Sequence, residues 1–488
     1  MYSLLPLLAL LFPLCSGTLC LLTCLFSFLE EFSKKTAKIL LLISATLSLA
    51  SVLTMVPYCA LGEVLEIPEF GLRADLSNIA ALVATSALFF LVSIYNVRAE
   101  RGGRLKPGIY NFFLLLFLCC MLGLLLSYDL FGIFLFVELV VGVSVILVAH
   151  NPIKLSTEAA FKYLVITALS ALFVLIGVLS TFIPTGVSNL LSLASNWEAQ
   201  AKLAENPTLV MFIVACFIIG LGADIGLVPF HGWLPDCLPA STIIINGFTS
   251  TEPIALILTL YKLVRPFYEI YPSNTILALM LGVGSTSMLF GSLMAYSQKD
   301  FFRMFAYCSI DEYGHSLFIL SMLPQPESFV AGQFYLITST LAKTGLILSL
   351  GSVYYNTETS DMDSLGNLVK KMGKTALSYI ICALSVAGMP PLSGFYAKFF
   401  AYSISYNFFY IHGGFPAAIS ITLLLTCISL VSFIFLIRAF QKIFFGRNIR
   451  NIDVNGEVPA LMWLPTIILS VALVILGVRP DVLLKLIG

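Results

Sequence analysis

Ten ionisable residues of this chain stand inside or beside long apolar stretches: Glu138, Lys162, Asp224, His231, Glu252, Asp311, Glu312, His315, Lys343 and Lys398. Held at the centre of a bilayer, one charged side chain costs at least ~2.5–3.5 kcal/mol on insertion scales, so such groups are expected to face a polar interior and to act. Burial disfavours the charged form of acids and bases alike, and a nearby opposite charge restores it. A small movement can then switch protonation near neutral pH, and a row of such groups bridged by water can pass protons. His231 and His315 suit the same relay, since an unperturbed imidazole titrates near ~6.5. The plain alternative is one structural ion pair for each charge and a hydrogen-bonded packing role for each histidine.

The elements that must position these groups follow from composition. The 488 residues are 59% hydrophobic and 11% charged, against about 25% charged in a soluble globular chain. The apolar residues come in runs of about 20, the length of a helix that crosses the hydrocarbon core. Barrel-type alternation is absent, and a backbone in lipid must satisfy its own hydrogen bonds. The expected fold is an all-α polytopic membrane protein of about fourteen spans, at 2–28, 38–60, 77–97, 109–127, 130–149, 158–184, 208–230, 241–264, 273–296, 301–323, 328–354, 376–404, 414–443 and 460–486. The amino-terminal MYSLLPLLALLFPLC lacks the basic start of a signal peptide and reads as the first span. The polar connections 185–207 and 355–375 are expected to be surface loops or short interfacial helices.

With the amino terminus outside and the spans alternating, the cytoplasmic ends collect most cations, from Lys34, Lys35 and Lys38 through Arg98 and Arg104 to Arg447 and Arg450. The outer ends hold Arg73, Lys202, Lys262, Arg265, Arg479 and Lys485. That bias follows the positive-inside rule and places both termini on the outer side of the cell (plasma) membrane.

Two spans are expected to be broken. The seventh carries Gly220, Gly222, Gly226 and Pro229, then VPFHGWLPD with Pro235; the twelfth carries Pro390, Pro391 and Gly394 in AGMPPLSGFYAKFF. Proline removes a backbone donor and glycine loosens a helix. Paired interruptions in two halves of a transporter point to its ion site. The breaks lie five spans apart, and so do Lys162 in AFKYLV and Lys343 in LAKTGL. Five is odd, so one five-helix unit is inverted relative to the other, spans 4–8 against spans 9–13. The chain divides accordingly into peripheral spans (1–108), a first half (109–264), a second half (273–445) and a last span (446–488).

These motifs resemble the antiporter-like membrane subunits shared by respiratory complex I, Mrp-type sodium/proton antiporters and membrane-bound hydrogenase or sulfane-reductase complexes. The resemblance rests on YDLFGIFLFVEL at 128–139, AAFKYL at 159–164, VPFHGWLPD at 228–236, FFRMFAYCSI at 301–310, LAKTGLILSLG at 341–351 and GMPPLSGFYAKF at 388–399. It implies a fourteen-helix fold with a lateral row of charges. Glu138 would be the fifth-span carboxylate, Lys162 the sixth-span lysine that communicates with the central axis, and Lys343 and Lys398 parts of the second half-channel. It also implies that redox chemistry resides in other subunits.

The departures bear on mechanism. The family's lysine seven residues before the motif histidine is Asp224 here, the deep group of the eighth span is Glu252, and the tenth span adds Asp311 and Glu312. Three readings stay open: protons relayed by Asp224 and Glu252, Na⁺ favoured by the added oxygen ligands, or a connector that no longer pumps. The expected function is a proton-translocating subunit of a redox-driven complex, with an Mrp-type Na⁺/H⁺ antiporter subunit and a structural subunit as alternatives. The expected partners are other membrane subunits, further antiporter-like chains and a peripheral redox arm among them, together with lipid and protons, with sodium as the alternative ion. Zero net charge implies no nucleic acid. The eleven cysteines form no CxxC pair and read as buried small hydrophobes. With no nucleotide-binding glycine pattern, haem spacing or metal spacing, no cofactor or metal is expected in this chain, and a membrane subunit of an oxidoreductase complex is expected rather than a stand-alone enzyme.

Overall fold

The apolar runs become helices. In the computed structural model, residues 4–23, 30–100, 102–447, 454 and 456–488 are described. Arg450 and both ends of the first expected span lie outside them. The long helices are α1 (Leu5–Thr23), α2 (Glu30–Ala60), α3 (Leu76–Ala99), α4 (Pro107–Leu126), α5 (Leu130–Val148) and α6 (Lys154–Thr185). The expected surface connection after α6 forms two short helices, α7 (Leu190–Ser195) and α8 (Trp197–Ala204). Then come α9 (Pro207–Ile225), α10 (Leu234–Ala240), α11 (Ile243–Thr249), α12 (Glu252–Ile270), α13 (Asn274–Ser297), α14 (Phe301–Leu320), α15 (Glu327–Thr357), α16 (Gly373–Ala387), α17 (Ser393–Phe440), α18 (Ala460–Val478) and α19 (Asp481–Ile487). Among the described residues 12 helices are long and apolar enough to cross a membrane. A small antiparallel hairpin, β1 (Leu65–Ile67) with β2 (Leu72–Ala74), joins α2 to α3.

Polar residues mark the helix starts. Asp75 accepts from Ser77 N (3.0 Å) while Asn78 Oδ1 accepts from Asp75 N (3.0 Å), a capping box that opens α3. Asp300 accepts from the amides of Phe302 and Arg303 at 2.9 Å and opens α14.

The enclosed middle of the molecule is α14, with every residue but Arg303 buried, and α15, whose apolar stretch is almost wholly buried. Helix α14 reaches that position by close backbone approach to α13. A Cβ on Gly291 would stand 2.5 Å from Asp311 N, and one on Gly314 2.6 Å from Met288 N. Small residues at a helix interface let backbones touch, as in membrane bundles generally. Helices α1, α6 and α18 lie outside, with about a third of each apolar stretch buried and broad apolar faces exposed.

The interruptions are specific. Helix α9 ends at Gly226 (φ +83°) and α16 at Gly388 (φ +80°), both left-handed. Each end is closed by a six-to-one bond, Leu227 N to Gly222 O (2.8 Å) and Met389 N to Leu384 O (2.9 Å). Pro229 lies in the first break, and Pro390 and Pro391 in the second. Pro235 and Gly394 do not break a helix. Pro235 sits in the first turn of α10, where its missing N–H costs nothing. Gly394 lies in the first turn of α17, so close to Ser385 that an added Cβ would be 1.7 Å from the Ser385 carbonyl oxygen. The eighth span is also interrupted, between α11 and α12, which sequence reasoning treats as continuous. Gly414 (φ 73°) kinks α17.

Candidate ion-conduction site

The first break seats Asp224 in the last turn of α9, and the α11–α12 interruption seats Glu252 at the first position of α12. Both are buried, at 2% and 4% exposure. They line one cavity of about 20 Å³ with Tyr163, Trp233, Ser241, Asn246 and Tyr313. That is room for about one water. Asp224 Oδ1 and Glu252 Oε1 have no protein hydrogen-bond partner. Buried polar atoms are nearly always satisfied, so these two call for water or a proton. Tyr163 stacks on Trp233 (4.0 Å between centroids), and Trp233 Nε1 donates to Ala223 O (2.9 Å), which ties the break to α6.

Tyr313 carries the line onward. It borders the Glu252 cavity, and Lys343 Nζ stands 3.6 Å from its ring centroid. Lys343, wholly buried on α15, makes no hydrogen bond. A cation over an aromatic face is stabilised by the ring quadrupole, the more so where water is excluded. The adjacent Thr344 Oγ1 lies 2.9 Å from Ser250 Oγ at the α11–α12 interruption.

Beyond Lys343 lies the second cluster. Glu312 Oε2 accepts from Tyr335 OH (3.0 Å), and its Oε1 is 4.0 Å from Lys398 Nζ. Asp311 Oδ2 accepts from Ser432 (2.6 Å), and its Oδ1 is 3.1 Å from His315 Nδ1. Lys398 donates to Ser429 (3.0 Å), which also bonds Tyr402. Lys398 and Tyr402 border a cavity of about 410 Å³ beside the second break. Oxygen and nitrogen ligand atoms of Asp311, Glu312 and His315 lie within 4.8 Å of one another, a spacing that a cation could bridge.

The structure therefore brings together Asp224 with Glu252, and Asp311, Glu312 and His315 with Lys343 and Lys398. Three expected members stand apart. Lys162 is not in the interior: it lies exposed on α6, where Nζ pairs with Glu158 (2.9 Å) and Asp236 (3.1 Å). Its helix turns this position outward, and Asp236 in turn holds Arg303 (3.3 Å). Glu138 is half-buried on α5, near enough to Asp224 for their charges to interact. His231 is half-buried in the first break and packs its ring 4.5 Å from Phe290 rather than on the carboxylates. Sequence reasoning missed the linkers Tyr163, Tyr313, Tyr335, Tyr402, Ser429 and Ser432. Tyr163 beside Lys162, Tyr313 within IDEYGHS, and Tyr402 one helical turn after Lys398 have neighbours that signal a polar role.

A helical bundle that keeps acids and lysines in a buried row, between helices ended by left-handed glycines, defines a polytopic membrane protein of the ion-carrying kind. The NADH:quinone oxidoreductase/Mrp antiporter transmembrane family matches residues 127–440, and the chain belongs to that family. It is 26% identical over 446 residues to the NADH-quinone oxidoreductase subunit N of Desulforudis audaxviator, covering 84% of this chain and 82% of that one. It is 30% identical over 328 residues to a Na(+)/H(+) antiporter subunit of Alkalihalophilus pseudofirmus, with 66% and 63% covered. Its fold matches a chain of the Mrp complex from Dietzia sp. (TM-score 0.85, 22% identity, 100% and 96% covered). It equally matches a chain of the membrane-bound sulfane sulfur reductase, an archaeal respiratory membrane complex (TM-score 0.85, 22% identity, 99% and 96% covered).

Proposed function

We propose that this chain is a proton-translocating, antiporter-like subunit of a multisubunit, redox-driven membrane complex. The observation that carries the reading is the buried row from Asp224 and Glu252 through Tyr313 and Lys343 to Glu312 and Lys398. Two acids open it, and beyond Tyr313 base and acid alternate from Lys343 to Glu312 to Lys398. A proton arriving at Glu312 would neutralise the partner of Lys398 and release the ammonium towards Ser429 and Tyr402. A charge change at one end thus alters the protonation preference of the next group. The names of the relatives, subunits of quinone oxidoreductases and of Na⁺/H⁺ antiporters, support the same reading.

In this reading the helices form fourteen spans, with spans 4–8 and 9–13 as inverted repeats. The division into 1–108, 109–264, 273–445 and 446–488 follows them. Both termini face outward from the plasma membrane, and the redox arm and further antiporter-like subunits belong to other chains. A second reading, an Mrp-type Na⁺/H⁺ antiporter subunit, is favoured by the oxygen-rich set at Asp311 and Glu312, since hard cations take oxygen ligands.

The test is reconstitution of the intact complex in liposomes with a pH-sensitive dye. Lys398→Ala is expected to lower proton movement at least about tenfold with normal subunit composition. Unchanged transport would leave the chain a connector. Flux that requires sodium, and is lost in Asp311→Asn, would favour the second reading.

A further inference from the structure

Where α2 begins, α3 ends and α18 begins, the surface holds a groove of about 480 Å³. Four cations line it, Lys34, Lys35, Lys38 and Arg98, and among the described residues no carboxylate does. Its remaining walls include Ile39, Leu42 and Leu461. Lys38 is already engaged, 3.1 Å from Glu100 and donating to Val97 O at 3.0 Å. Among the described residues Lys34 and Arg98 have no carboxylate partner.

The order of residues along the helix gives the groove its meaning. The three lysines occupy the entry of a candidate span that starts at Lys34. Ile39 (56% exposed), Ile43 (47%) and Leu47 (40%) follow at intervals of four. Residues four apart share one helix face, and each step descends about 6 Å. A cationic rim therefore leads into an open apolar stripe that runs towards the middle of the span. A phosphate on the rim would have its hydrocarbon chains delivered onto that stripe. An acidic protein segment would match the rim and make no use of the stripe.

We propose that this groove binds an anionic glycerophospholipid, with the phosphate held by Lys34 and Arg98 and an acyl chain laid along Ile39, Ile43 and Leu47. Basic pockets between transmembrane helices recognise anionic headgroups by this chemistry. The site is independent of the conduction row and of the proposed function.

The test uses the full chain in its complex, purified in mild detergent, with a photo-crosslinking residue at Ile39. The complex is titrated in mixed micelles with phosphatidylglycerol, phosphatidylcholine or inorganic phosphate. Preferential capture of phosphatidylglycerol is expected. Lys34→Gln with Arg98→Gln should weaken it roughly thirtyfold, at about fivefold per cation, whereas Lys34→Arg with Arg98→Lys should retain it. Equal capture of phosphatidylcholine, or indifference to loss of the charges, would overturn the proposal. So would competition by inorganic phosphate as effective as the lipid's own binding, or crosslinking to a neighbouring protein chain instead of lipid.

Discussion

Lys343 is the side chain whose environment constrains function most. It has no hydrogen bond, is fully buried and rests on the Tyr313 ring. Lys343→Met keeps the length and removes the charge; transport is expected to fall at least about tenfold with assembly intact, measured in liposomes as above. Tyr313→Phe, which keeps the ring and removes the hydroxyl, should preserve stability; a loss of transport there would assign the hydroxyl to the relay. His150, just beyond α5, makes a separate prediction. Its Nδ1 accepts from Leu105 N (3.2 Å), and burial lowers its pKa against a weaker opposing pull from Glu100. A histidine whose folded pKa lies below its unfolded value of ~6.5 contributes stability above that pH and loses it as pH falls. Thermal stability should therefore decline below about pH 6.5, and His150→Gln, whose side-chain carbonyl can accept the same bond, should flatten that part of the profile. A profile identical to wild type would refute the assignment.

Helices α9 and α16 end alike for one steric reason, a glycine at positive φ that frees the last carbonyls to take six-to-one bonds. Three glycines near these ends separate three roles. Gly226 supplies a left-handed conformation, which costs any other residue roughly 1–2 kcal/mol. Gly394 supplies closeness, since an added Cβ would stand 1.7 Å from the Ser385 carbonyl. Gly222 supplies neither, since its nearest contact would be 3.9 Å away at Leu227. Gly394→Ala should prevent proper joining of α16 to α17 and reduce assembled protein, whereas Gly222→Ala should be tolerated. Quantifying both variants in the membrane fraction, with thermal unfolding of whatever assembles, checks this. Equal behaviour would mean that the second break relaxes without cost.

At the scale of the molecule, α6 presents a wide apolar face that includes Phe161 (66% exposed), Leu169 (56%) and Ile183 (76%). On that face sits the Lys162–Asp236–Arg303 network. Exposed ion pairs of this kind add little stability by themselves, and a charged network set against lipid is costly. A neighbouring membrane subunit is expected to cover it. Lys162→Cys should resist water-soluble maleimides in the intact complex and become reactive when the neighbour is stripped away. Labelling that is fast in both states would place this face against water and not against protein.

Much of the fold was legible because lipid imposes simple rules. Twenty apolar residues in a row leave a helix as the solution, so α3 to α6 fall within a few residues of their expected intervals. Glycine and proline mark the breaks after Ala223-Asp224-Ile225 and Val386-Ala387 because their backbone limits act locally. The α11–α12 interruption carries one such mark, Pro253 in the first turn of α12, but the unbroken apolar run around it reads as a continuous span.

Burial in the interior was legible by residue type for Asp224, Glu252, Asp311, Glu312, His315, Lys343 and Lys398, since a span cannot easily hold these groups otherwise. It failed for Lys162, because hydropathy reports depth along a helix and says nothing of the direction a side chain takes around it. Pairings such as Glu312 with Lys398, Asp311 with Ser432 and Lys343 with Tyr313 join residues 86, 121 and 30 positions apart. No local pattern encodes them. The amino-acid order alone determined that this is a membrane bundle with costly charges at depth; only the packing of α9 against α12, and of α14 against α13, α15 and α17, decided which charges meet, because that depends on the rotation of each helix about its axis.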